Sequence, residues 1–200
     1  MNSTNPFIYS DDNKRYHTLN YYNKSSFNSK VFKAVIDAGF TCPNKDGTKG
    51  TGGCIYCMGG SGYFTEKSDG EIYDSVKRQL AAEKERIYNK HPDSLITAYF
   101  QANTNTYAPV ATLKEAYTAA LDSEVHGISI GTRADCLSDD VIALLCDINS
   151  KIHLTVELGL QTVHDKTAQI INRCYSYDEF LEGYRKLQES GIRTCLHPVS

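Results

Sequence analysis

The sequence predicts an α/β protein built on a parallel sheet, with the strands and helices of a barrel or partial barrel. Short apolar runs rich in β-branched residues alternate about five times with segments whose apolar residues recur at helical spacing. Such alternation implies right-handed crossovers between parallel strands. A glycine-rich loop follows the first apolar run, and polar residues follow the others. Barrels carry their working residues at these strand ends, so we expect a functional site there.

Each predicted element has a local signal. The strands are the apolar runs, at residues 31–40, 95–101, 127–132, 152–160 and 192–197. The helices show apolar residues at helical intervals, at residues 72–87, 111–121, 138–148, 164–172 and 177–190. Ser138 is expected to cap the third of these helices, and Gly191 to end the last one.

Bulk properties limit the class of protein. A length of 200 residues suits one domain, which we divide into an N-terminal arm (1–30) and a core (31–200). The net charge of −3 argues against a protein that coats nucleic acid non-specifically. No apolar run approaches the roughly 18–20 residues of a membrane span, and no membrane association is expected. Residues 1–10 lack the pattern of a secretory signal, which predicts a cytoplasmic location.

The N-terminal arm and the first strand carry a basic, aromatic composition. Between residues 13 and 33 there is no acidic residue, and the basic residues are Lys14, Arg15, Lys24, Lys30 and Lys33. The aromatic residues among them are Tyr16, Tyr21, Tyr22, Phe27 and Phe32. Cations for phosphates beside rings for bases are typical of a single-stranded RNA contact. The alternative is an arm that packs its rings on the domain and leaves its lysines in water.

The loop at residues 39–57 contains three cysteines, Cys42, Cys54 and Cys57, in a C-x11-C-x2-C arrangement. Three thiolates supply one ligand fewer than a closed tetrahedral site needs. The spacing allows a [4Fe–4S] cluster with one open iron, a structural zinc site completed by a histidine or Cys174, or no metal at all. With an odd total of seven cysteines and no export signal, metal ligands and buried thiols are favoured over disulfides.

The other cysteines have no assigned partner. They are isolated in the sequence: Cys136, Cys146, Cys174 and Cys195. We expect Cys146 and Cys195 to be buried, and we treat Cys174 as a candidate for redox or substrate chemistry.

Four segments together resemble one enzyme family. The cysteine loop with the aromatic Tyr56 before the last cysteine resembles the cluster loop of radical S-adenosylmethionine (SAM) enzymes. The wide first cysteine spacing is similar to that of the bacterial YtqA/YhcC-type branch, to which the MnmL proteins of tRNA wobble-uridine maturation belong. Residues 98–109, 129–137 and 156–165 resemble the same branch, and the similarity extends over about 16–197.

The resemblance implies a fold and cofactors. The fold would be a partial (β/α)6 barrel of the TIM-like radical SAM type. Because the family pattern continues into a sixth βα unit, the barrel is expected to be shortened after about the fifth strand. Cys42, Cys54 and Cys57 would hold a [4Fe–4S] cluster whose open iron binds SAM. One-electron reduction, from a flavodoxin- or ferredoxin-like donor, would cleave SAM to a 5′-deoxyadenosyl radical.

The resemblance also assigns cofactor contacts. Tyr56 would shield the cluster. Gln101 and Asn103 would meet the SAM amino group, and Glu157 and Gln161 would contact SAM or its ribose. A further residue, Arg173, would pair with the SAM carboxylate. For Glu157 the alternative is a polar residue inside the barrel, and for Arg173 a surface cation near a helix end.

The branch implies a substrate as well. That substrate would be tRNA, with conversion of a carboxymethylaminomethyl group on the wobble uridine to aminomethyl. One alternative is radical SAM chemistry on a substrate other than RNA. The other is a zinc-stabilised RNA-binding module without catalysis.

Overall fold

The computed structural model describes residues 14–57 and 70–198, which form a five-stranded parallel sheet. The strand order is β1-β2-β3-β4-β5, so consecutive strands are neighbours in space. Their bounds are β1 (Val31–Ile36), β2 (Leu95–Phe100), β3 (Gly127–Thr132), β4 (His153–Gln161) and β5 (Arg193–Pro198). This confirms the predicted α/β class and gives an open, partial barrel, because β1 and β5 lie at opposite edges of the sheet.

Helices connect the strands as predicted, and one further helix precedes β1. Their bounds are α1 (Leu19–Phe27), α2 (Ile72–Tyr88), α3 (Val110–Leu121), α4 (Asp139–Asn149), α5 (Asp165–Ile170) and α6 (Tyr177–Glu189). As expected, Ser138 caps α4, its side chain accepting a hydrogen bond from the Val141 N–H at 3.4 Å. Within the described ranges, no helix combines the length and apolar character needed to cross a membrane.

The two faces of the sheet differ in chemistry. Alternate strand residues are apolar and buried, and they join α2, α3 and α4 in one core; examples are Ile36, Ile96, Phe100, Ile128, Ile130 and Leu158. The opposite face carries Lys33, Tyr99, Ser129 and Glu157. Since β2 and β3 separate β1 from β4, the bond between Lys33 and Glu157 requires the sheet to curve toward this face. The polar face is therefore the concave one.

Helix α6 lies very close to the loop that follows β3. Its N-terminus has a capping box, in which Ser176 and Glu179 each bond the other's backbone. Residues Ala134–Cys136 form a 3₁₀ turn, and α6 packs against it at Gly183. A Cβ built at Gly183 would lie 2.0 Å from the Ala134 carbonyl oxygen, so this contact needs glycine.

The N-terminal arm contains a helix that the apolar pattern does not predict. Thr18 caps α1 by accepting the Tyr21 N–H at 3.0 Å, and Asn28 ends it in the left-handed region, with φ 51°. None of the residues of α1 is buried. Two of its rings face the sheet: Phe27 lies edge-on to His153 at 5.0 Å, and Arg193 stacks over Tyr22 at 3.8 Å. These rings pack on the domain, as the alternative reading of the arm expected.

Some boundaries and exposures differ from the predictions. β1 ends at Ile36 rather than at residue 40, because the Asp37 carboxylate accepts the Gly39 N–H at 2.9 Å and turns the chain. The helix predicted at 164–172 ends at Ile170, before a left-handed residue, Asn172. Cys195, expected to be buried, is exposed because it lies on β5 at the edge of the sheet.

Candidate metal and cofactor site

The cysteine loop leaves the carboxyl end of β1 and folds back on itself. The Cys42 carbonyl accepts N–H groups from Lys45 at 2.8 Å and Asp46 at 3.1 Å, which forms a turn. A second turn brings the Cys57 N–H to the Cys54 carbonyl at 2.9 Å. All seven cysteines are free thiols; Cys42 and Cys54 are partly buried, and Cys57 is exposed. The predicted ligands therefore share one loop at the predicted edge of the sheet.

The three cysteine thiols are of the kind that binds a metal cluster, although their sulfur atoms are not arranged around a common centre. No group of three or more His, Cys, Asp or Glu side chains among the described residues is arranged to hold a metal ion. The side-chain nitrogen of Asn44 nevertheless donates to Cys54 Sγ at 3.4 Å. A sulfur that accepts a hydrogen bond suits the thiolate form, which is the form that binds metal. The residues fit the group in kind and number, and the cluster ligation stays a prediction.

The loop is attached to the turn between α5 and α6. The Ile55 N–H donates to the Ile171 carbonyl at 3.1 Å, and the Asn172 side chain donates to the Gly53 carbonyl at 2.7 Å. The backbone of Asn172 is in the left-handed region, with φ 54°. The position of the second and third cysteines thus depends on the chain that follows β4.

Arg173 is a buried residue, not a surface cation. Its side chain is 1% exposed. The guanidinium donates to the carbonyls of Leu160 and Thr162, both at 2.6 Å, and twice to the Tyr175 carbonyl. The predicted pairing with the SAM carboxylate stays a prediction, and this geometry weighs against it because a carboxylate would have to displace backbone acceptors.

Glu157 is the centre of the polar concave face. It is 4% exposed, and its carboxylate accepts hydrogen bonds from Lys33, from Ser129 at 3.0 Å and from His197 at 2.9 Å. The Lys33 ammonium also lies 3.9 Å from the centre of the Tyr99 ring. Burial by itself raises the pKa of Glu157, but the bonds from His197 and Lys33 outweigh burial and lower it to about 2. Each of the five strands thus contributes one residue to a cluster of polar and charged side chains on the concave face of the sheet.

This pKa predicts an acid-sensitive contribution to stability. Because the pKa is lowered from 4.5 to about 2 on folding, the ionised carboxylate stabilises the protein above about pH 5. The contribution, on the order of 3 kcal/mol, is lost as the pH falls toward 2. We expect the Glu157→Gln variant to be less stable by about that amount at pH 7 and equal to the original protein near pH 2, as measured by urea unfolding. The exposed Glu115→Gln variant is the control; an equal loss in both variants would contradict the assignment.

The other predicted cofactor residues lie in the loop or at and just after the carboxyl ends of β2 and β4. Gln101 is exposed just after β2, and Gln161 ends β4 with φ 62°. Asn103, also left-handed with φ 61°, donates to the Phe40 carbonyl at 2.8 Å and accepts from Lys45 at 2.6 Å. Tyr56 is 43% exposed, and partial burial together with the Cys54 sulfur raises its pKa. Their predicted contacts with SAM stay predictions.

The structure shows three residues whose roles the sequence patterns did not reveal. Lys33 belongs to the segment assigned to the RNA contact, but its side chain points into the concave face and pairs with Glu157. Asn44 contacts both a cysteine and the α5–α6 turn. Arg133 is buried, pairs with Asp135 at 2.9 Å and donates to the Arg173 carbonyl at 3.0 Å. Polar residues beside the cysteine and strand-end motifs were the available signal.

An apolar cavity of about 780 Å³ lies beside the loop. It is bounded by the loop and by the chain leading into α3 and α4, including Phe40, Pro43, Tyr107, Cys136 and Val141. Burial, with the Asp135 carboxylate next in effect, raises the pKa of Cys136 to about 12. Cys136 is therefore a neutral thiol at neutral pH.

Comparison with known proteins agrees with this architecture. The chain is 48% identical to the protein YtqA of Bacillus subtilis, over all of this chain and 62% of that protein. It is 36% identical to YhcC of Escherichia coli K12, over 86% of this chain and 54% of that protein. It is 33% identical to MJ0486 of Methanocaldococcus jannaschii, over 89% of this chain and 54% of that protein. The chain spans little more than half the length of these curated relatives.

Two solved structures share the fold. The archaeal Elp3 of Methanocaldococcus infernus superposes with a TM-score of 0.55 at 16% identity, over 86% of this chain and 38% of that one. OxsB, a cobalamin-dependent SAM radical enzyme, superposes with a TM-score of 0.56 at 11% identity. The superposition covers 82% of this chain and 23% of the OxsB chain. The sequence profile of the Radical SAM superfamily matches residues 46–199, well over half of the chain. The chain belongs to the radical SAM superfamily of enzymes.

Proposed function

We propose that this chain carries out reductive cleavage of SAM, with Cys42, Cys54 and Cys57 as cluster ligands. The observation that carries the proposal is the placement of three free thiols on one loop at the carboxyl edge of a radical SAM sheet. When bound there, a [4Fe–4S] cluster supplies the electron that cleaves SAM. A flavodoxin- or ferredoxin-like protein is the proposed electron donor.

The chain's own residues would position SAM and exclude water. Glu157 presents a carboxylate that its partners hold ionised on the concave face. Gln101 follows β2 and Gln161 ends β4, and both offer amides for hydrogen bonding. Asn103 is already bound to the loop through Phe40 and Lys45, so it would fix the loop as well as meet the SAM amino group.

Anaerobic reconstitution tests the cluster and its ligands. We expect about four irons and four sulfides per chain, and formation of 5′-deoxyadenosine after reduction with SAM. The Cys54→Ala variant should lose the cluster. Cys146→Ala, in α4, is the matched control and should keep it. A colourless protein with one zinc and no affinity for SAM would instead favour the zinc-stabilised RNA-binding module.

We further propose tRNA as the substrate, with conversion of carboxymethylaminomethyl to aminomethyl on the wobble uridine. Support comes from the resemblance to the tRNA-maturation branch and from the exposed cations of the arm. Lys24 on α1 and Lys30 before β1 are exposed, and so is Tyr16, at 63%. Tyr22, Phe27 and Phe32 have partners within the protein, so the contact would rest on the cations rather than on stacked bases.

Charge reversal tests the RNA contact. The Lys24→Glu/Lys30→Glu double variant should bind tRNA more weakly and should reduce the slope of log K against log salt by about 1.5. Lys114→Glu/Lys166→Glu changes two exposed lysines elsewhere and should leave both quantities unchanged. Equal affinities in the two double variants would contradict the proposed contact. SAM cleavage without any change in the mass of tRNA would favour a substrate other than RNA.

A further inference from the structure

Asn44 is a fully buried amide inside the cysteine loop. It lies two residues after Cys42 and has no exposed surface. Its side-chain nitrogen donates to Cys54 Sγ at 3.4 Å and, in a second bond, to the Asn172 carbonyl. Its backbone carbonyl accepts the Gly53 N–H at 2.8 Å. One residue thus binds the loop, a cysteine sulfur and the α5–α6 turn.

The surroundings fix which way the Asn44 amide points. The nitrogen side faces two acceptors, the Asn172 carbonyl and the Cys54 sulfur. The oxygen side faces Gly50, where an added Cβ would lie 2.3 Å from Asn44 Oδ1. That oxygen is buried and has no hydrogen-bond partner. Turning the amide over would set its oxygen against the Asn172 carbonyl oxygen, so the N–H group is held toward the sulfur.

We propose that Asn44 is a positioning residue for the metal centre: it donates a hydrogen bond to the Cys54 sulfur and favours the reduced cluster. The inference rests on the proposed function and names Asn44 as a support, not as a ligand. A ligand sulfur carries more negative charge after reduction and accepts a hydrogen bond more strongly. Hydrogen bonds to the sulfurs are among the features that set cluster potentials.

The midpoint potential of the reconstituted cluster tests this role. In Asn44→Ala the donor is lost, and we expect a potential more negative by about 59 mV, which corresponds to a tenfold change for one electron. Asn172→Gly is the matched control. It removes the bond to the Gly53 carbonyl and suits the left-handed backbone, but it leaves the Asn44–Cys54 contact in place. Its potential should stay at the original value.

A second pair of variants serves the case in which the Asn44→Ala protein does not hold a cluster. Asn44→Asp keeps the shape and removes the donor, and Asn172→Asp introduces the same charge nearby without touching the sulfur. A more negative potential in Asn44→Asp than in Asn172→Asp supports the proposal. So does loss of the cluster in both Asn44 variants when circular dichroism stays native and the Asn172 variants keep it.

The outcomes separate this inference from the proposed function. If the original protein takes up no cluster, the proposed function fails and the inference fails with it. If the original protein takes up the cluster and Asn44→Ala leaves the potential unchanged, only the inference is overturned. Equal shifts in the Asn44 and Asn172 variants would overturn it too, because they would show a general effect of loosening the loop.

Discussion

Replacing Gly183 by alanine is expected to destabilise the protein by about 3 kcal/mol. In the interior of a helix this change normally stabilises by up to about 1 kcal/mol. Here the new Cβ would lie 2.0 Å from the Ala134 oxygen and 2.7 Å from its carbonyl carbon. Both atoms are backbone, so a side-chain rotation cannot relieve the overlap, and α6 must move away from the 3₁₀ turn.

Urea unfolding with Glu182→Ala as the control measures this effect. Glu182 is the preceding residue of α6 and is exposed, so its replacement should change the free energy of unfolding by less than about 0.5 kcal/mol. Equal stability of the two variants would show that α6 does not contact Ala134 as described. The turn also carries Asp135, which pairs with Arg133, so we expect the surroundings of that ion pair to change in Gly183→Ala.

Replacing Arg173 by leucine is expected to cost about 3–5 kcal/mol, since the guanidinium is buried and fully engaged. The change removes the donors to the Leu160, Thr162 and Tyr175 carbonyls and leaves those acceptors without their partner. Lysine keeps the charge but offers a single ammonium in place of the planar fork. Arg173→Lys should therefore lose most of the same stability.

Thermal and urea unfolding of both variants check this expectation. Arg185→Ala, which removes an exposed arginine from α6, is the control and should remain close to the original protein. A stable Arg173→Lys variant would mean that the charge, rather than the set of backbone bonds, is what the site requires. A binding role for Arg173 would then regain support.

Most of the fold follows from local patterns. Strands and helices of the core have apolar spacings that repeat within each element, so the order and class were predictable. Helix α1 was missed because its signals are the caps at Thr18 and Asn28, and it has no buried face. Ends of elements were less predictable, since they depend on single side-chain bonds such as that of Asp37.

The site was predictable only in part. Cysteine spacing predicts which residues are the proposed ligands, because neighbouring thiols on one loop are a local feature of the sequence. Arg173 and Lys33 could not be placed in the same way. Burial of Arg173 depends on carbonyls that every residue type carries, and the partner of Lys33 lies 124 residues further along the chain.

The Lys33–Glu157 bond also bears on the order in which the chain can assemble. Each strand pairs with the next one along the sequence, so every pairing closes only the segment between two consecutive strands. The Lys33–Glu157 bond closes a segment of 124 residues and needs all the intervening strands in register. The entropic cost of closing a free loop rises with its length. Most of the cost of bringing Lys33 and Glu157 together is therefore met by the strand pairings that form first. The ion pair can therefore close only after the curvature of the sheet has been established. Its formation indicates that the concave face of the sheet is complete.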